Sequence, residues 1–168
     1  ARKLTGQILH TIQDFYSHSN WVEMGNTHIN SAIGSQEFNK LAVASRSDNL
    51  TCVSNCTLTT VKCNIVVETL MFFLKSIAKF ENTHYTCPLR YFKCEGNIVA
   101  LDRLVSGYYV HQKLPNDVGI EKPNNTMKCS HGGIVDSDSF KPAMGGINKD
   151  SGFYLFSPHA NLHLAAAK

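Results

Sequence analysis

Near the N-terminus, histidine and aspartate side chains recur at every fourth residue, as His10, Asp14 and His18. Because an α-helix has 3.6 residues per turn, each step of four advances about 40°, so these side chains share one face about 80° wide. An apolar set repeats at the same spacing on another arc: Leu4, Ile8, Ile12 and Tyr16. The pattern predicts an amphipathic helix whose apolar arc packs against the core. Its polar face is either a solvated surface or a set of metal ligands, and this helix alone does not distinguish the two.

A second pair of histidines, near the C-terminus, favours the metal interpretation. Ser157 is a good N-cap, Pro158 suits the first helical position, and helix-forming residues follow as far as Ala167. His159 and His163 then lie one turn apart on one face, a spacing at which two neutral imidazoles can bind a single zinc ion. The alternative is a pair of surface histidines with no ligand. The sequence therefore predicts zinc as a cofactor, held by five ligands: His10, Asp14, His18, His159 and His163.

Apolar residues recur at helical spacing in further parts of the chain. Residues 38–44 suggest a short helix, residues 64–80 a core helix, and residues 98–108 an amphipathic helix that Asn97 would cap. The predicted fold class is accordingly mainly α, a helical bundle with a disulfide-rich, irregular insertion. The aromatic pair at residues 72–73 would be buried against neighbouring helices, or alternatively would line a pocket for a lipid or another apolar ligand.

The length of the chain suits one domain, so residues 1–168 are predicted to form a single domain with a core of ordinary size. Two cysteine loops, residues 45–66 and 81–97, and an irregular stretch rich in Gly and Pro, residues 110–157, are predicted between the helices. No apolar signal-peptide region precedes the first helix, so the chain is expected to be a processed or partial piece of a larger protein.

Composition and charge argue against two kinds of partner. The formal net charge is +3, and the basic residues are spread along the chain without interleaved aromatic clusters, so no nucleic-acid partner is expected. The longest apolar stretch, residues 65–80, is interrupted by Glu68, Lys75 and Lys79, which makes it too short and too polar to span a bilayer. No transmembrane segment is therefore expected.

Cysteines and glycosylation signals together indicate an oxidising, extracellular compartment. The chain has an even number of cysteines: Cys52, Cys56, Cys63, Cys87, Cys94 and Cys129. Three asparagines, Asn49, Asn55 and Asn124, stand in Asn-x-Thr acceptor sequences. A cysteine zinc site is the alternative, but the Cys-x3-Cys and Cys-x6-Cys spacings lack the paired short knuckles typical of structural zinc. The six cysteines are therefore predicted to form disulfides in a secreted protein, with Cys87–Cys94 as a local guess at one pair.

The first helix also carries a family resemblance. Residues 10–23, HTIQDFYSHSNWVE, resemble the signature of the fungal heterokaryon-incompatibility protein Het-C and of the animal von Willebrand factor A domain-containing proteins that share its N-terminal region. Residues 106–109 (SGYY), 128–133 (KCSHGG), 145–151 (GGINKDS) and 156–164 (FSPHANLHL) resemble later blocks of that animal group. The resemblance runs in this order along the chain, with a divergent middle.

At a greater distance, Het-C-like regions resemble the all-α fold of zinc-dependent phospholipase C and P1-type nucleases, in which zinc ions lie between helices. This resemblance implies His10 and Asp14 as a first ligand pair, His18 as the following ligand, and His159 with His163 as the last pair. The chain departs from that pattern in three respects. The interval from Asp14 to His18 is shorter, His163 stands where a carboxylate is expected, and the earlier ligands of the fold would precede the start of the chain.

These observations predict a secreted Het-C-like helical module with a partial or vestigial metal site, acting as a structural or interaction protein and forming oligomers. The alternative is a zinc-dependent phosphodiester hydrolase, similar to phospholipase C, whose site is completed by another chain. A second alternative is a carrier of an apolar small ligand. The expected partners are the N-terminal part of the chain's own precursor or other subunits.

Three further residues lie beside the predicted ligands or in the matching blocks. Asn20 and Trp21 could line the mouth of a site, but a helix-terminal turn and a half-buried aromatic side chain are their expected roles. His131 precedes the doublet Gly132 and Gly133, whose glycines allow unusual backbone angles, and a turn-stabilising hydrogen bond is its expected role.

Overall fold

The computed structural model describes residues 2–62, 89–109, 122–133 and 136–149. Its helix, α1, spans Arg2–Ser17, and two 3₁₀ turns span Gln36–Lys40 and Ser137–Phe140. Two antiparallel strands, β1 at Cys56–Val61 and β2 at Leu89–Cys94, pair with Cys56 opposite Cys94 and Val61 opposite Leu89.

The prediction of a mainly α fold, a helical bundle resembling zinc-dependent phospholipase C, is wrong. In the described ranges α1 is the single α-helix, and the remaining chain consists of the β1–β2 pair, turns and extended segments joined by isolated β-bridges. The predicted helices at residues 64–80 and 157–167 lie outside the described residues. None of the described helices is long and apolar enough to cross a membrane.

Residues 98–108, predicted as an amphipathic helix, are extended and run through the middle of the molecule. The segment forms bridges to four others, including Cys52 with Ile98 and Tyr108 with Ser130. Its backbone groups bond to distant residues, since Ala100 N–H donates to Thr51 and Leu104 N–H donates to Ala42. Asn97, predicted as a cap, is buried, and its amide donates to the Gly146 carbonyl at 3.1 Å. These long-range partners take the place of the i to i−4 bonds of a helix.

The described core consists of two clusters of buried side chains. The larger one lies around the buried Cys52 and Cys129 pair and contains Ile98, Ala100, Val105, Ala143 and Ile147. The smaller one contains Tyr16, Trp21 and Leu104, with Phe15 packed against it. The Phe15 ring lies 5.6 Å from the Trp21 ring, centroid to centroid. The end of α1 is thus anchored by aromatic packing.

Helix α1 is confirmed, but half of its predicted apolar arc, Leu4 and Ile8, does not face the core, whereas Ile12 and Tyr16 do. Leu4 is 62% exposed and Ile8 is 55% exposed, whereas Tyr16 is 2% exposed. Residues 2–11 are all exposed, so the first part of the helix extends away from the body, and the helix reaches the smaller cluster from Ile12 onward. The helical periodicity of the sequence predicted the helix correctly. Which of its apolar residues are buried depends on how much of the helix lies against the rest of the protein.

The predicted short helix at residues 38–44 is a 3₁₀ turn at Gln36–Lys40 that ends before Val43. Val43 then forms a parallel bridge with Leu104, and Ala44 N–H donates to the Leu104 carbonyl at 2.9 Å. A run of this length is too short to be stable as an isolated helix, so pairing with the extended segment determines its conformation.

Two disulfides cross-link the described chain, Cys52–Cys129 and Cys56–Cys94. The prediction of disulfides is confirmed for these four cysteines, and Cys63 and Cys87 lie outside the described residues. The suggested Cys87–Cys94 pair is wrong, because the register of the two strands places Cys94 directly opposite Cys56. The strand pairing, and not proximity along the chain, determines the partner.

Candidate functional site

Three polar side chains spaced one helical turn apart, two on α1 and one directly after it, form a row that we call the α1 ladder: His10, Asp14 and His18. His10 Nε2 lies 3.3 Å from Asp14 Oδ2, and His18 Nε2 lies 3.8 Å from Asp14 Oδ1. The side chains of His10 and His18 are 75% and 17% exposed. The carboxylate therefore lies between one imidazole in solvent and one against the protein body.

His18 also begins a stack of three rings, the ring stack, formed by His18, His131 and Tyr109. The His18 and His131 centroids are 4.1 Å apart, and those of His131 and Tyr109 are 4.4 Å apart, with interplanar angles of 29° and 26°. His131 Nδ1 lies 2.8 Å from the Gly132 carbonyl, in agreement with the turn-stabilising bond expected from the sequence. The stack joins the C-terminal end of α1 to residues more than 90 positions away along the chain. Sequence reasoning did not predict this contact.

The described residues do not by themselves fit a zinc ion. Zinc in proteins takes donors at about 2.0–2.3 Å that converge on one point, usually four of them. In the ladder each imidazole faces a different oxygen of Asp14, and no group of three or more His, Cys, Asp or Glu side chains in the described ranges could hold a metal ion. His159 and His163 lie outside the described residues. Zinc binding therefore stays a prediction.

Asn20 fixes the position of the ladder relative to the body. The residue is 0% exposed, and its amide donates to the carbonyls of Ala100 and Arg103 at 2.7 and 3.0 Å. Its Oδ1 accepts the Val105 N–H at 2.7 Å. Asn20 is therefore a structural residue that holds the end of α1 against the extended segment, and Trp21, 6% exposed, is buried beside it.

A lysine provides a second connection between α1 and the body. Lys149 Nζ donates to the Ser19 carbonyl at 2.7 Å and lies 3.1 Å from Glu23 Oε1. The Lys149 N–H donates to the Ser17 carbonyl, which belongs to the last turn of the helix. His18, which belongs to both the α1 ladder and the ring stack, directly follows Ser17. The Lys149 contact therefore lies next to the residue that the two groups share.

A separate network of charged side chains is buried in the body. Lys122 is 3% exposed, and its ammonium donates to Ser130 Oγ at 2.8 Å and to the Ala143 carbonyl at 2.9 Å. Burial lowers the pKa of Lys122 to about 8, although attraction to Asp138 and Asp136 opposes the shift. Burial raises the pKa of Asp136, which is partly offset by N–H bonds from Gly132 and Asp138. The network connects chain segments, and the Asp136 carboxylate also interacts electrostatically with His131, so the network adjoins the ring stack.

The three acceptor asparagines, Asn49, Asn55 and Asn124, are all exposed. The Asn55 amide nitrogen donates to the Glu95 carbonyl at 2.7 Å. An amide nitrogen has two hydrogens and glycosylation replaces one of them, so this bond is compatible with a glycan. The described surface therefore presents each acceptor side chain to solvent.

The described residues form a small, cross-linked domain of mixed α and β structure. One amphipathic helix docks by its C-terminal end on a body of short strands and bridged loops. The chain belongs to the VWA7 N-terminal domain family, whose sequence model matches residues 1–76 and 72–168. This confirms the resemblance to the animal von Willebrand factor A domain-containing proteins.

Named relatives agree with this assignment. The chain is 36% identical to von Willebrand factor A domain-containing protein 7 of Rattus norvegicus over 168 residues, and 36% identical to those of Mus musculus and Homo sapiens over 170 residues. Each match covers 100% of this chain and 14% of the relative, so the chain spans about one seventh of the relatives' length. No solved structure matches the chain.

Proposed function

We propose that this chain is an extracellular structural and interaction module with an incomplete metal site on α1. The observation that carries the proposal is the buried Cys52–Cys129 disulfide. Both cysteines are 1% exposed and lie within the larger core cluster, and they join positions separated by 77 residues. A core built around such a bond requires an oxidising compartment for folding. The exposed acceptor asparagines fit the same compartment.

The ladder supports the second part of the proposal. Asp14 lies within 4 Å of both imidazoles, so one carboxylate and two imidazole groups are grouped on this face. The segment that resembles the Het-C signature includes His10, Asp14 and His18, and this resemblance supports a functional role for this face. The remaining donors would come from another part of a longer polypeptide or from other subunits, with His159 and His163 as the ligands predicted within this chain.

Expression through a mammalian secretory pathway tests the compartment. We expect the protein in the medium, no alkylation of Cys52, Cys56, Cys94 or Cys129 by iodoacetamide under native conditions, and a mass decrease on glycosidase treatment. The substitutions Asn49→Gln, Asn55→Gln and Asn124→Gln assign the glycans one by one. Retention inside the cell with several reactive thiols would contradict the proposal.

Zinc-dependent hydrolysis of phosphodiesters is the second candidate function, and the observation favouring it is the position of Asp14 between two imidazoles. Elemental analysis after chelator-free purification tests it. Stoichiometric zinc that is lost in His10→Ala/Asp14→Ala but kept in His28→Ala, whose side chain is exposed and outside the ladder, would establish a metal site. Release of product from a chromogenic phosphodiester would then identify an enzyme. If the purified protein contained no metal and showed no turnover, the hydrolase would be ruled out in favour of the structural module.

The apolar-carrier alternative rests on residues 72–73, which lie outside the described residues.

A further inference from the structure

A cavity of about 260 Å³ lies between the segment at residues 43–46 and the extended segment at residues 104–109. It is distinct from the α1 ladder, and the lining includes Val43, Arg46, Leu104, Tyr108, Tyr109 and Lys128. Ligand pockets usually measure roughly 300–1,000 Å³. This cavity therefore suits a small molecule and not a peptide.

The wall of the cavity contains a buried ammonium group. Lys128 is 3% exposed, and its Nζ donates to the Ser45 carbonyl at 2.9 Å and lies 6.0 Å from the centroid of the Tyr108 ring. An ammonium group has three N–H donors. Among the described residues, the Ser45 carbonyl is the one hydrogen-bond acceptor that this ammonium contacts. Two donors are thus available to a bound acceptor in a position that water reaches poorly.

The charges around Lys128 leave the cavity positive. Arg46 lines the same cavity, is exposed, and has no ion pair with the described part of the chain. The nearest acidic contribution comes from Asp48, which acts on Lys128 electrostatically. That carboxylate accepts the Ser45 N–H at 2.7 Å and lies 3.7 Å from Arg103 Nη1, so its charge is already partly compensated. Burial lowers the pKa of Lys128 with Asp48 opposing the shift, as expected for an ammonium that lacks a close anion.

The rest of the lining combines apolar and aromatic residues with the polar Ser45, Thr51 and Ser106. Val43 and Leu104 contribute aliphatic surface, and Tyr108 and Tyr109 contribute rings. A cavity that combines aliphatic and aromatic surface with charged and hydroxyl groups suits a ligand that has an apolar body and a charged head group.

We propose that this cavity binds a small organic anion, with its carboxylate, sulfate or phosphate group at Lys128 and Arg46 and its apolar body against Tyr108, Val43 and Leu104. Lys128 is the main specificity residue because its charge is buried, and a charge-assisted bond is strongest where water is excluded. Arg46, at the exposed rim, contributes less and contributes mainly at low salt.

Calorimetric titration of the intact chain tests the proposal with benzoate, phenyl phosphate and phenyl sulfate. Benzyl alcohol serves as the neutral analogue and inorganic phosphate as a head group without an apolar body. We expect saturable binding of at least one aromatic anion, with benzyl alcohol and inorganic phosphate weaker by about tenfold or more. The tightest of the three anions identifies the head group.

Lys128→Met removes the ammonium and keeps an unbranched side chain, and it is expected to weaken binding by about tenfold. Lys40→Met is the matched control because it removes the same charge from an exposed side chain outside the cavity. Arg46→Gln is expected to weaken binding by about threefold and to reduce its salt dependence. Equal weakening by Lys128→Met and Lys40→Met would overturn the proposal, as would absence of saturable binding for all three anions.

A second measurement does not depend on the stability of the Lys128→Met variant. The Lys128 Cε resonance of ¹³C-labelled protein reports the pKa of the ammonium in the folded chain. We expect saturating aromatic anion to raise that pKa, because a close anion favours the charged form. A pKa that is unchanged by saturating anion would show that Lys128 does not contact the ligand and would overturn the proposal.

Discussion

At the residue scale, the amide of Asn20 links the end of α1 to the extended segment through three hydrogen bonds. Each partner of the Asn20 side chain is a backbone group of residues 100–105. No other side chain of similar shape has both the two donors and the one acceptor that these bonds require. Asn20→Asp replaces the amide donors with an oxygen that faces the carbonyls of Ala100 and Arg103. A buried donor or acceptor that loses its hydrogen-bond partner typically lowers the stability of the folded protein by about 1–3 kcal/mol, and by more when it is charged.

We therefore expect Asn20→Asp to lower the free energy of unfolding by about 3 kcal/mol at pH 7, measured by urea denaturation. The loss should decrease at low pH, where the carboxyl becomes protonated and can donate one hydrogen bond. Asn39→Asp, at an exposed position, is the control and should change stability little. Similar losses for the two variants would show that the Asn20 bonds do not hold the helix end.

Gly145 allows the close approach of its backbone to the Cys56–Cys94 disulfide. Its φ is +98°, and a Cβ there would overlap both sulfur atoms. We expect Gly145→Ala to destabilise the protein by about 2 kcal/mol or more, in urea denaturation of the oxidised protein. Gly34→Ala is a matched control because its φ is +83° but a Cβ would meet nothing within 4 Å. The difference between the variants measures the overlap with the disulfide, and an absence of difference would contradict this interpretation.

At the scale of the element, α1 has two parts with different packing. The first part carries Leu4 and Ile8 in solvent, and the last turn carries Phe15 and Tyr16 against the smaller core cluster. Substitutions at exposed positions usually change stability by less than about 0.5 kcal/mol, whereas removal of a packed aromatic side chain costs about 3 kcal/mol.

Ile8→Ala is accordingly expected to leave the thermal unfolding midpoint almost unchanged, and Phe15→Ala to lower the stability by roughly 3 kcal/mol. Both are measured by circular dichroism at several protein concentrations. A large loss for Ile8→Ala that depends on protein concentration would mean that the exposed face is covered in solution and would contradict the solvent-exposed arrangement.

The same division explains what sequence reasoning could predict. The existence of α1 and the shared face of His10, Asp14 and His18 follow from local periodicity, so both were predicted from the sequence alone. The segment at residues 98–108 was wrongly predicted as a helix because its conformation depends on backbone bonds to residues as distant along the chain as Asn20. The ring stack and the partner of Cys94 also depend on contacts between distant segments, and no spacing pattern encodes them.

At the scale of the whole molecule, buried charge makes stability depend on pH. The Lys122 pKa is about 8 in the folded chain and 10.5 as its ordinary value, so above pH 8 the unfolded chain binds more protons at this site. Stability therefore rises with pH between about 8 and 10.5 through this group. Tyr16 has the opposite effect near pH 10. Burial raises the pKa of Tyr16 above its ordinary value of 10.0, so the stability that this group contributes is lost as the pH rises above 10.

We expect the free energy of unfolding from urea titrations to increase between pH 7.5 and about 9.5, and the slope to become smaller in Lys122→Met. Lys93→Met, at an exposed position of β2, should retain the slope of the original chain. Parallel pH profiles for all three proteins would contradict the assignment of the slope to Lys122, whatever the absolute stability of the variants.

The disulfide pairing has a topological consequence for cleavage of the chain. Cys52–Cys129 encloses Cys56–Cys94 along the sequence. A protease that cuts a single peptide bond anywhere between residues 52 and 129 therefore leaves the two products covalently joined. Such a nicked molecule migrates as one species without reductant and separates into two only after reduction, so a cut in that interval alters a local surface without releasing either half.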